Sequence, residues 1–191
     1  MMRQDDRGSR MMWDARARAN LGMGMFLIAS GVLFGLLLIA FISFRDAALA
    51  AQNLNLQMGA LLTALLVLSA FALWRARNSK PAADPRPWLL TGAVSGTVFL
   101  IAQAYDFRRL ISRNLTVAQS PFGSAYFTLA GIHALSVLAG VIILAMLLAL
   151  GRRIEFGERR ADALSAVALY WYFTSAVWLL IFGVAYLWSL L

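Results

Sequence analysis

Five apolar stretches, approximately Leu21–Phe44, Leu56–Trp74, Trp88–Tyr105, Phe122–Leu150 and Ala163–Leu191, leave the chain few ways to fold. A hydrocarbon core of roughly 30 Å takes about 20 helical residues to cross, and these stretches are of that order. The expected fold is therefore an all-α integral membrane protein, a bundle of five transmembrane helices. The third stretch is the shortest, and Trp88 and Tyr105 stand at its ends as interfacial anchors. The fourth and fifth are long enough to tilt or to extend beyond the lipid.

Composition agrees: 61% of the 191 residues are apolar and 14% are charged, more apolar and less charged than soluble domains. With no cysteine, disulfides, thiolate metal sites and cysteine nucleophiles are excluded together. The formal net charge of +8 does not point to nucleic acid, because the basic residues lie in short segments between apolar runs, where they report topology. Residues 1–20 hold eight charged side chains and are read as a short polar tail, not a cleavable signal. Residues 21–191 are read as a single membrane domain. Its two long polar connections are RARNSKPAADPRPW, from Arg75 to Trp88, and GRRIEFGERRADA, from Gly151 to Ala163.

The tail and these two connections carry 13 of the 17 Lys and Arg residues. Positive-inside bias then places the N-terminus in the cytoplasm and the C-terminus on the periplasmic side.

Chemistry-bearing residues are scarce. His133 is the single histidine, so a bis-histidine haem is excluded and no metal set is apparent. Intramembrane ionisable groups usually mark transport pathways, yet the predicted spans hold almost none. Asp106, expected just beyond the third span beside Arg108 and Arg109, is read as part of a solvated interfacial pair. These two arginines are candidates for lipid phosphate or a partner surface. At helical spacing Tyr126, Ala130, His133, Ser136 and Gly140 share a face, and the expected role of His133 is a neutral imidazole hydrogen-bonded across a helix contact. Gly31 with Gly35, and Gly92 with Gly96, form GxxxG pairs of the kind that let helix backbones approach. Gly92, Ser95, Gly96, Phe99, Gln103 and Asp106 fall on one face, which predicts its burial.

Four ordered motifs carry the reading further. FLIASGVLFGLLLIAF in the first span, VFLIAQAYDFRRL closing the third, SAYFTLAGIHALSVLAG in the fourth and ALYWYFTSAVWLLIFGVAYLW in the fifth resemble subunit III of the haem–copper oxidases. The resemblance runs from Gly22 to Trp188 and is to the five-helix bacterial form, which lacks the first two helices of the seven-helix form. The chain is a divergent member on this reading. Gly31 stands where the family commonly has a glutamate, and Ser136 replaces the second histidine of a glycine-x-histidine-x-x-histidine pattern. In Tyr170, Trp171, Tyr172, Phe173, Thr174, Ser175 the family's histidine and aspartate have become Tyr172 and Ser175. Gln103 keeps an amide at a family position.

The resemblance implies a non-catalytic component of an aerobic terminal oxidase in the bacterial inner membrane. It implies no cofactor in this chain, haem and copper in a partner subunit I, contacts with other oxidase subunits, and phospholipid binding. Helix-packing, lipid or partner contacts are expected at Gly31, Gly35, Gly92, Gly96, Gln103, Asp106, Arg108, Arg109, His133, Ser136, Trp171, Tyr172 and Trp178. Two other readings stay open here. One is an accessory subunit of a nitric oxide reductase or an electron-transfer supercomplex; the other is a small independent transporter with His133, Ser136, Gln103 and Tyr172 along its path.

Overall fold

The computed structural model describes residues 3–44, 46–79, 84–150 and 158–187. Arg45, Lys80, Arg152, Arg153 and the last four residues of the fifth predicted span, 188–191, lie outside the described residues. The elements are α1 (Arg3–Ser43), α2 (Ala47–Asn53), α3 (Leu56–Arg77), α4 (Arg86–Ser112), α5 (Pro121–Leu150) and α6 (Glu158–Phe182), followed by one wide π-helical turn, Gly183–Leu187. No strand occurs among the described residues. Among the described residues five helices are long and apolar enough to cross a membrane, and the chain is an all-α, multi-pass membrane protein.

Two compact units make up the chain, Met1–Leu33 and Phe34–Leu191. The first is the N-terminal part of α1, helical from Arg3, including the segment read as a polar tail. No proline interrupts it, and its arginines, alanines and methionines are good helix formers.

In the second unit, α3 packs on α4, α4 on α5, α5 on α6 and α6 on α3. The four helices form a closed ring. The C-terminal part of α1 adds Phe34 and Phe41 to the core, with the Phe41 ring 5.6 Å from that of Phe122. Outward positions remain apolar, including Leu61, Val67, Ile101, Leu135, Met146 and Leu180, as a surface facing acyl chains requires.

Helix starts follow local chemistry. The Asn55 side chain accepts from the amides of Gln57 and Met58 to open α3, and Ser120 Oγ accepts from Gly123 N at 2.9 Å to open α5. Pro87 sits within the first two residues of α4, where a missing N–H costs nothing. At the same membrane edge the Arg75 guanidinium lies 5.1 Å over the Trp88 ring.

One boundary differs from the sequence reading. The third span does not stop at Tyr105; α4 runs to Ser112, so Asp106, Arg108 and Arg109 are helical. Asp106 and Arg109 pair at i,i+3, which lets the helix continue through charges that ordinarily mark its end. The chain turns only after Arg113, where Asn114 takes φ 62°, a left-handed conformation that asparagine tolerates.

Candidate functional site

Small residues admit large ones at the centre of the ring. Trp171 of α6 is 1% exposed. Its indole fills the gap beside two glycines: a Cβ built on Gly96 of α4 would stand 2.9 Å from the ring, and one on Gly140 of α5 would collide with it. On the α3 side, a Cβ on Gly92 would strike Leu73, and Ser69 Oγ donates to the Gly92 carbonyl at 2.8 Å. Gly59 of α3 lies equally close to the Tyr186 and Phe182 rings, 2.8 and 2.9 Å from where its Cβ would be. These contacts bring the backbones of three helices toward the α6 aromatics.

His133 is fully buried, and its Nε2 lies 3.1 Å from the Thr174 carbonyl oxygen of α6. An imidazole nitrogen carrying hydrogen donates there, joining α5 to α6. The ring is enclosed by Phe34, Phe99 and Trp178, at centroid distances of 6.2, 5.8 and 5.2 Å. The imidazole is thus packed among three aromatic rings. Ser136 donates to Ile132 O within its own helix, and the Ser136 carbonyl accepts from Tyr170 Oη at 2.7 Å. Tyr172 is half-buried, and its hydroxyl has no hydrogen-bond partner among the described residues. The Trp178 indole, 1% exposed, donates to Thr63 Oγ1 at 3.0 Å and closes α6 onto α3.

The second polar cluster lies at the C-terminal end of α4. The reading of Asp106 as solvated at the interface is corrected: its side chain is fully buried, and Arg109 Nη2 lies 2.8 Å from Oδ1. Helical periodicity explains the burial, because Asp106 continues the inward stripe of Gly92, Ser95, Gly96, Phe99 and Gln103 that ends at Leu110. Tyr126 faces both Gln103 and Asp106, and its hydroxyl is hydrogen-bonded to that of Tyr186 at 2.7 Å. A buried carboxylate deprived of its guanidinium costs about 3–5 kcal/mol, so this pair is part of the structure of the bundle.

Arg109 is engaged within the chain on both sides. It donates to Asn53 O at 3.2 Å, whereas Arg108 is exposed. The GxxxG expectation on α1 also changes within the described chain. A Cβ at Gly35 would meet nothing within 4 Å, because this stretch of α1 lies outside the ring and no other helix backbone reaches the glycine. Gly31 belongs to the first unit.

Beside α1 a groove of about 410 Å³ is lined by Leu37, Ala40, Phe44, Pro121, Ser124, Ala125 and Thr128. The two hydroxyls on its wall donate to backbone carbonyls, Ser124 to Val117 and Thr128 to Ser124, which leaves the lining effectively apolar. Among the described residues no three His, Cys, Asp or Glu side chains converge as metal ligands.

Sequence reasoning missed the Tyr126–Tyr186 pair, Thr63 and Gly59. Each depends on which helices meet, and only the aromatic richness of the last span hinted at it.

The family model for cytochrome c oxidase subunit III matches residues 13–190. Cytochrome c oxidase subunit 3 of Corynebacterium diphtheriae is 29% identical over 140 residues, 71% of this chain and 68% of the relative. Probable cytochrome c oxidase subunit 3 of Mycobacterium leprae is 31% identical over 139 residues, 71% of this chain and 69% of the relative. Cytochrome bo(3) ubiquinol oxidase subunit 3 of Pseudomonas putida is 28% identical over 175 residues, covering 87% and 84%.

Proposed function

Since the chain belongs to the cytochrome c oxidase subunit III family, we propose that it packs beside the haem–copper subunit I of a respiratory oxidase and supports its assembly and stability. It is a subunit III component of a terminal oxidase, and such a component associates with other oxidase subunits. The observation that carries the structural role is the Trp171 wedge between Gly96 and Gly140, which makes the ring a closely packed scaffold. Haem and copper belong to the partner on this reading, and the side chains gathered here serve helix contacts.

The groove beside α1 suits an acyl chain, and exposed Arg108 suits a lipid phosphate or an acidic partner residue. Gly35, open on its own chain, offers a close-approach face to lipid or to a neighbouring subunit, and Gly31 continues that face in sequence. Residues 1–20 form the polar region preceding a single membrane domain, 21–191. The bias of Lys and Arg toward the tail and the two long connections supports a cytoplasmic N-terminus, a periplasmic C-terminus and residence in the bacterial inner membrane.

A mild-detergent pull-down of the chain from its native membrane, read by reduced-minus-oxidised haem spectroscopy and partner mass spectrometry, tests the assignment. Recovery with a haem-bearing multi-span subunit is the expected result. A chain that purifies alone, from membranes whose oxidase is intact, would overturn it.

A further inference from the structure

Arg109 joins two parts of the molecule that have no sequence reason to meet. The seven-residue α2 (Ala47–Asn53) carries the chain from α1 toward α3. Its C-terminal carbonyls are met from the far end of α4: Asn53 O by Arg109 Nη2 at 3.2 Å, and Gln52 O by Arg113 Nη1 at 3.4 Å. The last carbonyls of a helix lack intrahelical partners and carry the negative end of its dipole, so guanidinium groups suit them. The same Arg109 Nη2 is 2.8 Å from Asp106 Oδ1. One nitrogen thus touches a carboxylate sealed inside the ring on one side and the end of a surface connection on the other.

A pair needed only to stabilise α4 could lie on its exposed face. Here the carboxylate points inward, against Tyr126, which is tied to Tyr186 of the π-helical turn at 2.7 Å.

We propose that Asp106 is a positioning residue: it holds the Arg109 guanidinium as a clasp on the C-terminus of α2, so the ring interior governs how firmly the α1–α3 connection is docked. Arg113 adds a second, more exposed donor to the same end and does not touch the carboxylate at pairing distance. The clasp depends on the negative charge of Asp106 and on the reach of Arg109, whose Nη2 meets both acceptors and stands farther from the backbone than a lysine ammonium would.

The test is hydrogen–deuterium exchange of the purified oxidase in lipid nanodiscs, read on the amides of residues 49–54 and, as an internal reference, on α5 and α6. In Asp106→Asn, which preserves shape and removes charge, the α2 amides exchange faster, by about tenfold or more, while α5 and α6 keep their protection. In Arg109→Lys, α2 exchange also rises, and adding Asp106→Asn to that variant changes α2 no further, because Asp106 acts through Arg109. Wild-type α2 exchange in either single variant overturns the proposal. So does a double variant whose α2 exchange rises well beyond that of Arg109→Lys alone. Should Asp106→Asn fail to assemble, Arg109→Lys, which keeps both charges, still decides the matter.

Discussion

The indole nitrogen of Trp178 donates to the Thr63 hydroxyl at 3.0 Å, and this single bond joins the last spanning helix to α3 across 115 residues of sequence. Thr63 in turn donates to Gly59 O at 2.8 Å, so its half-buried hydroxyl is both donor and acceptor. Trp178→Phe keeps much of the packing against Phe99, whose ring is 5.1 Å away, but removes the donor. The expected loss of stability is about 0.6–2 kcal/mol, measured by denaturant titration in detergent. A variant as stable as the parent would mean that the bond contributes nothing to ring closure.

The glycines of α1 and α4 should respond oppositely to bulk. Gly96→Leu drives a side chain into Trp171 and Val141 and should cost about 1–3 kcal/mol or prevent assembly. Gly35→Leu enters open space within the chain, so the isolated subunit should change by no more than about 0.5 kcal/mol. Comparing the isolated chain with the assembled oxidase then locates a partner: a Gly35→Leu defect confined to the complex marks that face as an interface.

His133→Ala removes the hydrogen bond to Thr174 O and leaves a cavity beneath Phe34, Phe99 and Trp178. About 2–4 kcal/mol of destabilisation is expected, with oxygen consumption per assembled complex unchanged. Lost turnover at normal assembly would assign the imidazole a role beyond packing.

Tyr126 and Tyr186 should act as one unit. Either hydroxyl removed as Tyr→Phe leaves the other without its 2.7 Å partner, at a cost of about 1 kcal/mol. The double variant should cost clearly less than the sum. Additive losses in a double-mutant cycle would show that the two hydroxyls are not coupled.

The five spans were legible because apolar length is a property of contiguous sequence. The inward stripe of α4 could also be read, since Gly92, Ser95, Gly96, Phe99, Gln103 and Asp106 recur at helical spacing and all are buried in the structure. The far end of α4 was misread for a physical reason: hydropathy treats Asp106, Arg108 and Arg109 as three charges that end a span, whereas pairing at 2.8 Å lets one of them go fully inside. Gly35 and Gly96 look alike in their motifs and differ only in whether another helix arrives. That information resides in tertiary contacts, as does the meeting of Tyr126 with Tyr186.

The hydroxyls along the outer faces bear on insertion. Thr97 on α4 and Thr128 on α5 are exposed and Thr91 on α4 is half-buried, yet each donates to the carbonyl four residues earlier, at 2.8, 2.7 and 3.0 Å. Ser43 does the same at the end of α1, at 2.9 Å. A hydroxyl whose hydrogen is already engaged presents mainly its carbon and a shielded oxygen to the surroundings. To an acyl chain these helices are therefore more oily cylinders than their residue names imply, and Thr→Val at such places should leave the partitioning of a helix into hydrocarbon nearly unaltered.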